Sequence, residues 1–517
     1  MSFVANARKH PGKTAVILGD TGDSITYGEL NDRSLRFSQL LRVRGLSPGD
    51  TVALFMDSGL RFHEILFGAL RSNLYVVPIS KYATAEEAAY LVQDCDAKCV
   101  VVSARLRDIA EQLRAQCPAG TVLLSVEGPV DGYDGYENAV AGLPAEPTAE
   151  VEILGDWMLY SSGTTGRPLG IRRPLRHEPF DGPLQVDESG AQLYGLDDQS
   201  VFYTPAPLYH SAPLCYTSAT LSLGGTVVIS AKFDARRSLE LIERYRVTTG
   251  QWVPSMFVRM LKLPREVRDK LDVSSQRLAV HGAGPCSRDT KQAMIDWWGP
   301  ILVEYFGSTE FTGLTRCDSQ EWLAHPGTVG RAILGTPHVC DESGRELAVG
   351  ETGLIYFERD EIPFAYHKNP GRTEETIHPV HRTWTQVGDM GYLDTDGYIY
   401  LVDRASFMII SGGVNIYPRE IEDVLIGHPA VADVAVFGVP NEEMGEEVKA
   451  VVQTAPGIAG GDSLSRELME LARTRLAAYK CPRSIDYIDA MPRQDTGKLY
   501  KRILRDAYLA AGSARLP

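Results

Sequence analysis

Read for the spacing of apolar and polar positions, the first part of the chain resolves into repeated strand and helix units. The stretch "ITYGELNDRSLRFSQLLRVRG" carries an apolar stripe through Leu30, Phe37 and Leu41, opens with Thr26 and Glu29 at capping-box spacing, and stops at Gly45. "TVALFM" predicts a strand, "RFHEILFGALRSN" a helix and "YVVPIS" a second strand. Thr84 and Glu87 then box a helix that feeds "KCVVVS". Further on, "SVFYTPAP", "GGTVVIS", "VTTGQWVP", "RLAVHGAG" and "PILVEYFG" are short apolar runs set between helical stretches. Such alternation predicts parallel sheets covered by helices.

From about Gly350 onward the pattern changes. "GLIYFERDE", "GYLDTDGYIYLVDR" and "FMIISGGVNIYP" predict strands joined by turns such as Asp396-Gly397, which suits antiparallel hairpins. Beyond Arg404 the helix "PREIEDVLIGHP", the strands "VADVAVFGV" and "EVKAVVQT" and the amphipathic helix "SLSRELMELARTRLA" predict a small α+β domain. The fold class is therefore α/β, in two domains: residues 1–403, with stacked α/β sheets and a β-rich subdomain, and residues 404–517, the smaller unit.

Bulk properties narrow the function. The chain has 517 residues, enough for two or more domains, and a net charge of −15, which argues against a nucleic-acid partner. The opening "MSFVANARKHPGKTAVILGD" has no apolar targeting core, and no apolar run reaches membrane-spanning length, so a cytoplasmic enzyme is expected. The eight cysteines are scattered, and Cys95 with Cys99 fits no zinc spacing. They read as small buried hydrophobes of a reducing compartment, and Cys286 lacks a His/Asn constellation that would make it a nucleophile.

The chemistry begins at "YSSGTTGRPLGIRRPL", residues 160 to 175. Its hydroxyls and glycines suit a loop that wraps an anion, yet the spacing is not that of a Walker A loop. In order along the chain follow "PLYHSAPL", "HGAGPC", "EYFGSTE", "VGDMGYLDTDGYIYLVDR", "SGGVNIYPREIE" and "PRQDTGKLYKRILR". Together these runs resemble, over nearly the whole chain, the adenylate-forming superfamily of acyl-CoA synthetases, luciferases and peptide-synthetase adenylation domains.

The resemblance implies a carboxylate attacking the α-phosphate of ATP to give an acyl-AMP, then transfer to coenzyme A, with Mg²⁺ as the metal. It implies that Ser161, Ser162, Gly163, Thr164, Thr165 and Gly166 cradle the β- and γ-phosphates. Glu310 would hold Mg²⁺, a hard cation that takes oxygen ligands. Thr309 would contact the α-phosphate. Tyr305, Phe306, Gly307 and Ser308 lead into that group, with Phe306 against adenine and ordinary core packing as its other reading. Gly282, Ala283 and Gly284 would run along adenine and the acyl group, while Asp389 and Arg404 would meet the ribose.

By the same resemblance Lys498 bridges the attacking carboxylate and the α-phosphate, on a small domain that turns about a hinge just after Arg404 and is mobile for that reason. Gly412 and Gly413 would pass close to pantetheine, unless they merely form a hairpin turn. His210 would gate the acyl tunnel, with Trp252, Val253, His281 and Gly313 lining it. The implied partners are a carboxylic acid, ATP and coenzyme A, with a homodimer left open. Fatty acids lead as substrates, followed by aryl or steroid-type acids. A stand-alone adenylating enzyme that loads a carrier protein and a non-catalytic nucleotide-binding homologue are the other readings.

Two positions depart from the family pattern. Leu169 stands where the phosphate loop usually carries a lysine, and Arg167 or Arg172 could supply the missing cation unless the residue is an engineered change. Ser406 stands at the hinge position, commonly Asp or Lys. "GGDSL", residues 460 to 464, looks like the phosphopantetheine serine of a carrier, but its place between a strand and a helix makes Asp462 and Ser463 a helix N-cap.

Overall fold

The structure, a computed structural model, describes residues 2–161, 167–182, 191, 193–493 and 499–510. By their contacts the residues form two compact bodies, one of 1–252, 262–280 and 363–374, the other of 253–261, 281–362 and 375–517.

The first body contains the predicted parallel sheets. In one, Asp134–Gly135, Val122–Val126, Ala97–Ser103, Thr51–Phe55, Tyr75–Pro78 and Asp156–Trp157 lie side by side, every pair parallel. Helices cover both faces, so both residue parities are apolar. Leu54, Val101 and Leu124 pack with Phe37 and Phe62 on one side, and Ala53, Phe55, Val100 and Val102 with Leu113 on the other. The helices start where the capping boxes placed them: Thr26 with Glu29 opens Tyr27–Val43, and Thr84 with Glu87 opens Ala85–Asp94. A second sheet pairs Thr14–Leu18, Thr226–Ile229, Val201–Thr204 and Thr249–Trp252 in parallel. A small antiparallel sheet joins Leu159–Tyr160, Gly170–Arg172 and the distant Ala365–Tyr366.

The second body is mostly antiparallel. Leu302–Gly307, Leu314–Asp318 and Arg331–Leu334 form one ladder. Thr336–Cys340, Gly353–Glu358, Asp389–Leu393 and Ile399–Arg404 form another, so the antiparallel region begins before Gly350. Residues beyond Phe407 build a sheet of Val414–Ile416, Ile409–Ser411, Gly445–Thr454 and Val431–Asn441, with Ser484–Tyr487 beside it. Pro418–Leu425 and Asp462–Arg475 cover it over a core that includes Ile409, Ile421, Val436 and Leu468.

The helix Asp462–Arg475 is capped by Gly461, with no side-chain capping bond. Asp462 and Ser463 are therefore its first residues rather than its cap. Asp462 places a negative charge where the helix dipole favours one, and Ser463 lies in the first turn of a helix rather than in an exposed loop.

One buried ion pair was not foreseen. Lys291, on the helix Arg288–Trp298, reaches Glu304 on the neighbouring strand at 2.7 Å, and both residues are buried. Its ammonium also lies 5.2 Å from the centre of the Trp322 ring. Burial would push the Glu304 carboxyl up, but the ammonium, aided by His281, holds it below its ordinary value. A buried charge stripped of its partner is costly, whereas an apolar pair of similar volume is not. Lys291→Met is expected to lower stability by about 3–5 kcal/mol. Lys291→Met with Glu304→Leu is expected to return close to the wild type, both read by urea denaturation.

Candidate active site

In the first body two antiparallel arms, Leu159–Tyr160 and Gly170–Arg172, flank the hydroxyl-rich run, and the Ser161 amide donates to the Leu169 carbonyl at 2.9 Å beside them. Ser162, Gly163, Thr164, Thr165 and Gly166 lie outside the described residues, as does Lys498. The arms are anchored by residues the sequence did not flag. Tyr160 donates to the Asp94 carboxylate at 2.6 Å, and Tyr90 to the Pro168 carbonyl at 2.9 Å. The His367 amide donates to the Gly170 carbonyl at 2.7 Å.

The two arginines near the departure at Leu169 face aromatic rings. The Arg167 guanidinium lies 5.1 Å from the centre of Tyr90, and that of Arg172 lies 4.2 Å from the centre of Tyr75. Leu169 itself is half-buried. His210 caps the helix Ser211–Leu223 with its backbone and packs on Tyr209, ring centres 4.2 Å apart. Trp252 is fully buried, edge-on to Tyr203 at 5.6 Å.

The second body holds the other candidates. Strand register alone sets Asp389 directly across from Arg404. The Arg404 Nε donates to Asp389 Oδ1 at 3.1 Å, and Asp389 Oδ2, buried, has no hydrogen-bond partner among the described residues. A buried carboxylate oxygen without a donor is costly, so the pair fits a ligand that brings hydroxyls, as a ribose does. Glu310 is 7 % exposed, a hard oxygen donor of the kind that Mg²⁺ takes. Phe311, which follows it, has φ +56°, a left-handed conformation unusual for an aromatic residue.

Gly282 lies under the Tyr305 ring, and a Cβ there would come within 2.7 Å of it. Ala283 has φ +63°, while Ala283 and Gly284 are exposed. Phe306 is half-buried against Phe357, ring centres 6.4 Å apart, so one side of it belongs to the core formed by Val329, Ile355 and Ile399. Gly313 is filled by that same Phe357, whose ring would meet a Cβ at 2.1 Å. Thr309, Ser308 and Tyr305 are half-buried, Gly307 is exposed, and Val253 is buried. Gly412 and Gly413, with φ +58° and +79°, form the two-residue turn between Ile409–Ser411 and Val414–Ile416. The hairpin thus requires both glycines for its own geometry. Ser406 is exposed in the single turn Ala405–Phe407.

The model of the AMP-binding enzyme family matches residues 3–365, and that of the AMP-binding enzyme C-terminal domain matches residues 420–498. The chain belongs to the AMP-binding enzyme family. This is the adenylate-forming superfamily, on its acyl-CoA synthetase side, that the motifs resemble. Among curated members, the long-chain-fatty-acid–CoA ligase FadD13 of Mycobacterium tuberculosis is 31 % identical, with 97 % of this chain and 96 % of that one covered. The fatty acid–[acyl-carrier-protein] ligase ScoC of Streptomyces coeruleorubidus is also 31 % identical, covering 97 % and 94 %. The feruloyl-CoA synthase of an Amycolatopsis species is 32 % identical, covering 97 % of each. A solved family structure, the ATP-bound RpMatB-BxBclM chimera B1, superposes with a TM-score of 0.83 at 29 % identity, covering 98 % of this chain and 99 % of that one.

His281 has a distinct electrostatic position within this family member. It is fully buried, edge-on to Phe257 at 5.3 Å, and neither ring nitrogen has a hydrogen-bond partner among the described residues. Burial pushes its imidazole down to about 3, against the pull of Glu304. Between that value and the unfolded value near 6.5 the unfolded chain binds the extra proton, so the stability present above pH 6.5 is lost as pH falls through this window. His281→Phe is expected to lose about 2 kcal/mol less than the wild type between pH 7.5 and 5, measured by urea denaturation at both.

Proposed function

We propose that this chain is an ATP-dependent acyl-CoA synthetase that converts a bulky carboxylic acid, with a fatty acid as the leading substrate, to its CoA thioester through an acyl-AMP. The observation that carries the reading is the Asp389–Arg404 pair, in which the buried Asp389 carboxylate keeps one oxygen with no donor beside it among the described residues. Relatives over nearly the whole chain that are ligases of acids to CoA or to a carrier protein support it.

In this reading Asp389 accepts from the ribose hydroxyls while Arg404 fixes the carboxylate. Phe306 offers its outer side to adenine, and Gly282, Ala283 and Gly284 give backbone access where a side chain would obstruct. Thr309 and the hydroxyls of Ser161, Ser162, Thr164 and Thr165 donate to phosphate oxygens, with Gly163 and Gly166 admitting the backbone. Donors set in place beforehand stabilise the charge that develops on the departing pyrophosphate, each by about 3–4 kcal/mol. Mg²⁺ bound at Glu310 would neutralise part of that same charge.

Lys498, on the domain of residues 404–517, bridges the acid carboxylate and the α-phosphate. A compact, flexible ammonium suits a contact made in one half-reaction and released in the other. His210, Trp252, Val253, His281 and Gly313 border the acyl group, and the Gly412-Gly413 turn borders the thiol. The cytoplasm, where ATP and coenzyme A are at hand, is the setting, and a homodimer is compatible with it. Transfer to a carrier protein in place of coenzyme A is the second reading, favoured by the ScoC relative. Pyrophosphate release with a panel of acids, followed by coenzyme A or a phosphopantetheinylated carrier, separates the two. Release with no acid overturns both.

Lys498→Ala is expected to abolish acyl-AMP formation from ATP while sparing thioester formation from supplied acyl-AMP. Equal loss of both half-reactions counts against the assignment. Because Arg167 and Arg172 lie over aromatic rings, Leu169→Lys is expected to raise kcat/KM for ATP by about tenfold, the order of one charge-assisted hydrogen bond. An unchanged kcat/KM would show that the phosphates need no further cation.

A further inference from the structure

Asp403 lies between the nucleotide pair and the C-terminal segment, and it bonds to both. Its Oδ1 accepts the Arg404 amide at 2.7 Å, the same Arg404 whose side chain holds Asp389. Its Oδ2 accepts the Arg419 amide at 3.1 Å, in the first turn of the helix Pro418–Leu425. That helix has no cap of its own, since Tyr417 at its N-cap makes no side-chain bond. A carboxylate there meets an otherwise unpaired amide and the positive end of the helix dipole. Arg419 adds a second tie, from Nη1 to the Leu401 carbonyl at 3.3 Å.

The middle of the same helix is fastened into the C-terminal fold. Glu422 Oε1 accepts the Val436 amide at 2.7 Å and pairs with Lys501 at 2.8 Å. Residues 404–418, including the Ala405–Phe407 turn with Ser406, therefore form an excursion closed at its neck by the Asp403 carboxylate, with the Arg419 guanidinium beside it. Any turning of the helix about Ala405–Phe407 must break that bond.

We propose that Asp403 is a positioning residue that caps the helix Pro418–Leu425 in trans and fixes Arg404 at the same time, so that nucleotide binding and the seating of the C-terminal segment depend on one side chain. This rests on the reading of Asp389 and Arg404 as the ribose site. The Asp389–Arg404 geometry is then set in part by a helix that touches no substrate.

The test uses the full chain, with AMP as the probe. Asp403→Ala is expected to weaken AMP binding about tenfold, the order of one lost hydrogen bond to a charged group, and to speed proteolytic cleavage within 404–418. It should also raise KM for ATP while leaving KM for the acid and kcat within about twofold, a split that general loosening of the fold would not give. Asp403→Asn keeps one acceptor oxygen and falls between, and it gives the same readout if the alanine variant does not fold. Arg419→Ala keeps its backbone amide and is expected to bind AMP as the wild type does. Wild-type AMP affinity in a folded Asp403→Ala protein would overturn the proposal, as would a loss in Arg419→Ala equal to that in Asp403→Ala. If the wild type binds no AMP, the nucleotide reading falls, and the proteolysis comparison alone decides whether Asp403 holds the helix.

Discussion

A buried carboxylate must be given donors, and the way Asp389 receives them organises the strand pair that carries it. One oxygen is satisfied by Arg404 across the strand pair Asp389–Leu393 and Ile399–Arg404; the other is left facing no protein donor among the described residues. The two-strand register delivers this arrangement without any loop having to close. It follows from a turn at Asp394 to Gly397, where the Gly397 amide returns to the Asp394 carbonyl and Gly397 takes φ +80°. A one-residue slip would send Asp389 or Arg404 to the opposite face of the sheet.

The two bodies solve different problems. In the first, parallel strands are apolar on both faces, and polar groups sit at their ends and beside the strand pair Leu159–Tyr160 and Gly170–Arg172. The hydrogen bonds to this strand pair come from elements far away in sequence, Asp94 and His367, because two such short strands are marginal on their own. The second body places Phe306, Asp389 and Arg404 on antiparallel strands, where side chains alternate between core and exposed faces. Phe306 shows the result: half of the ring joins the core with Phe357, and the remainder is open.

Much of this was legible in the chain. The capping boxes at Thr26 and Thr84, the alternation of strands and helices, and the hairpin turn at Asp396-Gly397 were carried by local pattern, which acts through backbone hydrogen bonds and side-chain period. The start of the helix at Asp462 was misjudged by one residue, because glycine caps through its backbone and leaves no side-chain signature. The glycines at 412 and 413 could be read two ways from sequence, and their positive φ now ties them to the turn.

By itself the sequence determined the class of fold, the order of the motifs and the family, since periodicity and short-range chemistry depend only on neighbours along the chain. Tertiary structure alone decided that Lys291 meets Glu304, that Asp94 and His367 brace one hairpin, and that Asp403 caps a helix sixteen positions away. Such pairings arise because a buried charge or an unpaired amide must find a partner in space. Which partner it finds is fixed by how sheets and helices stack, and no local pattern records that.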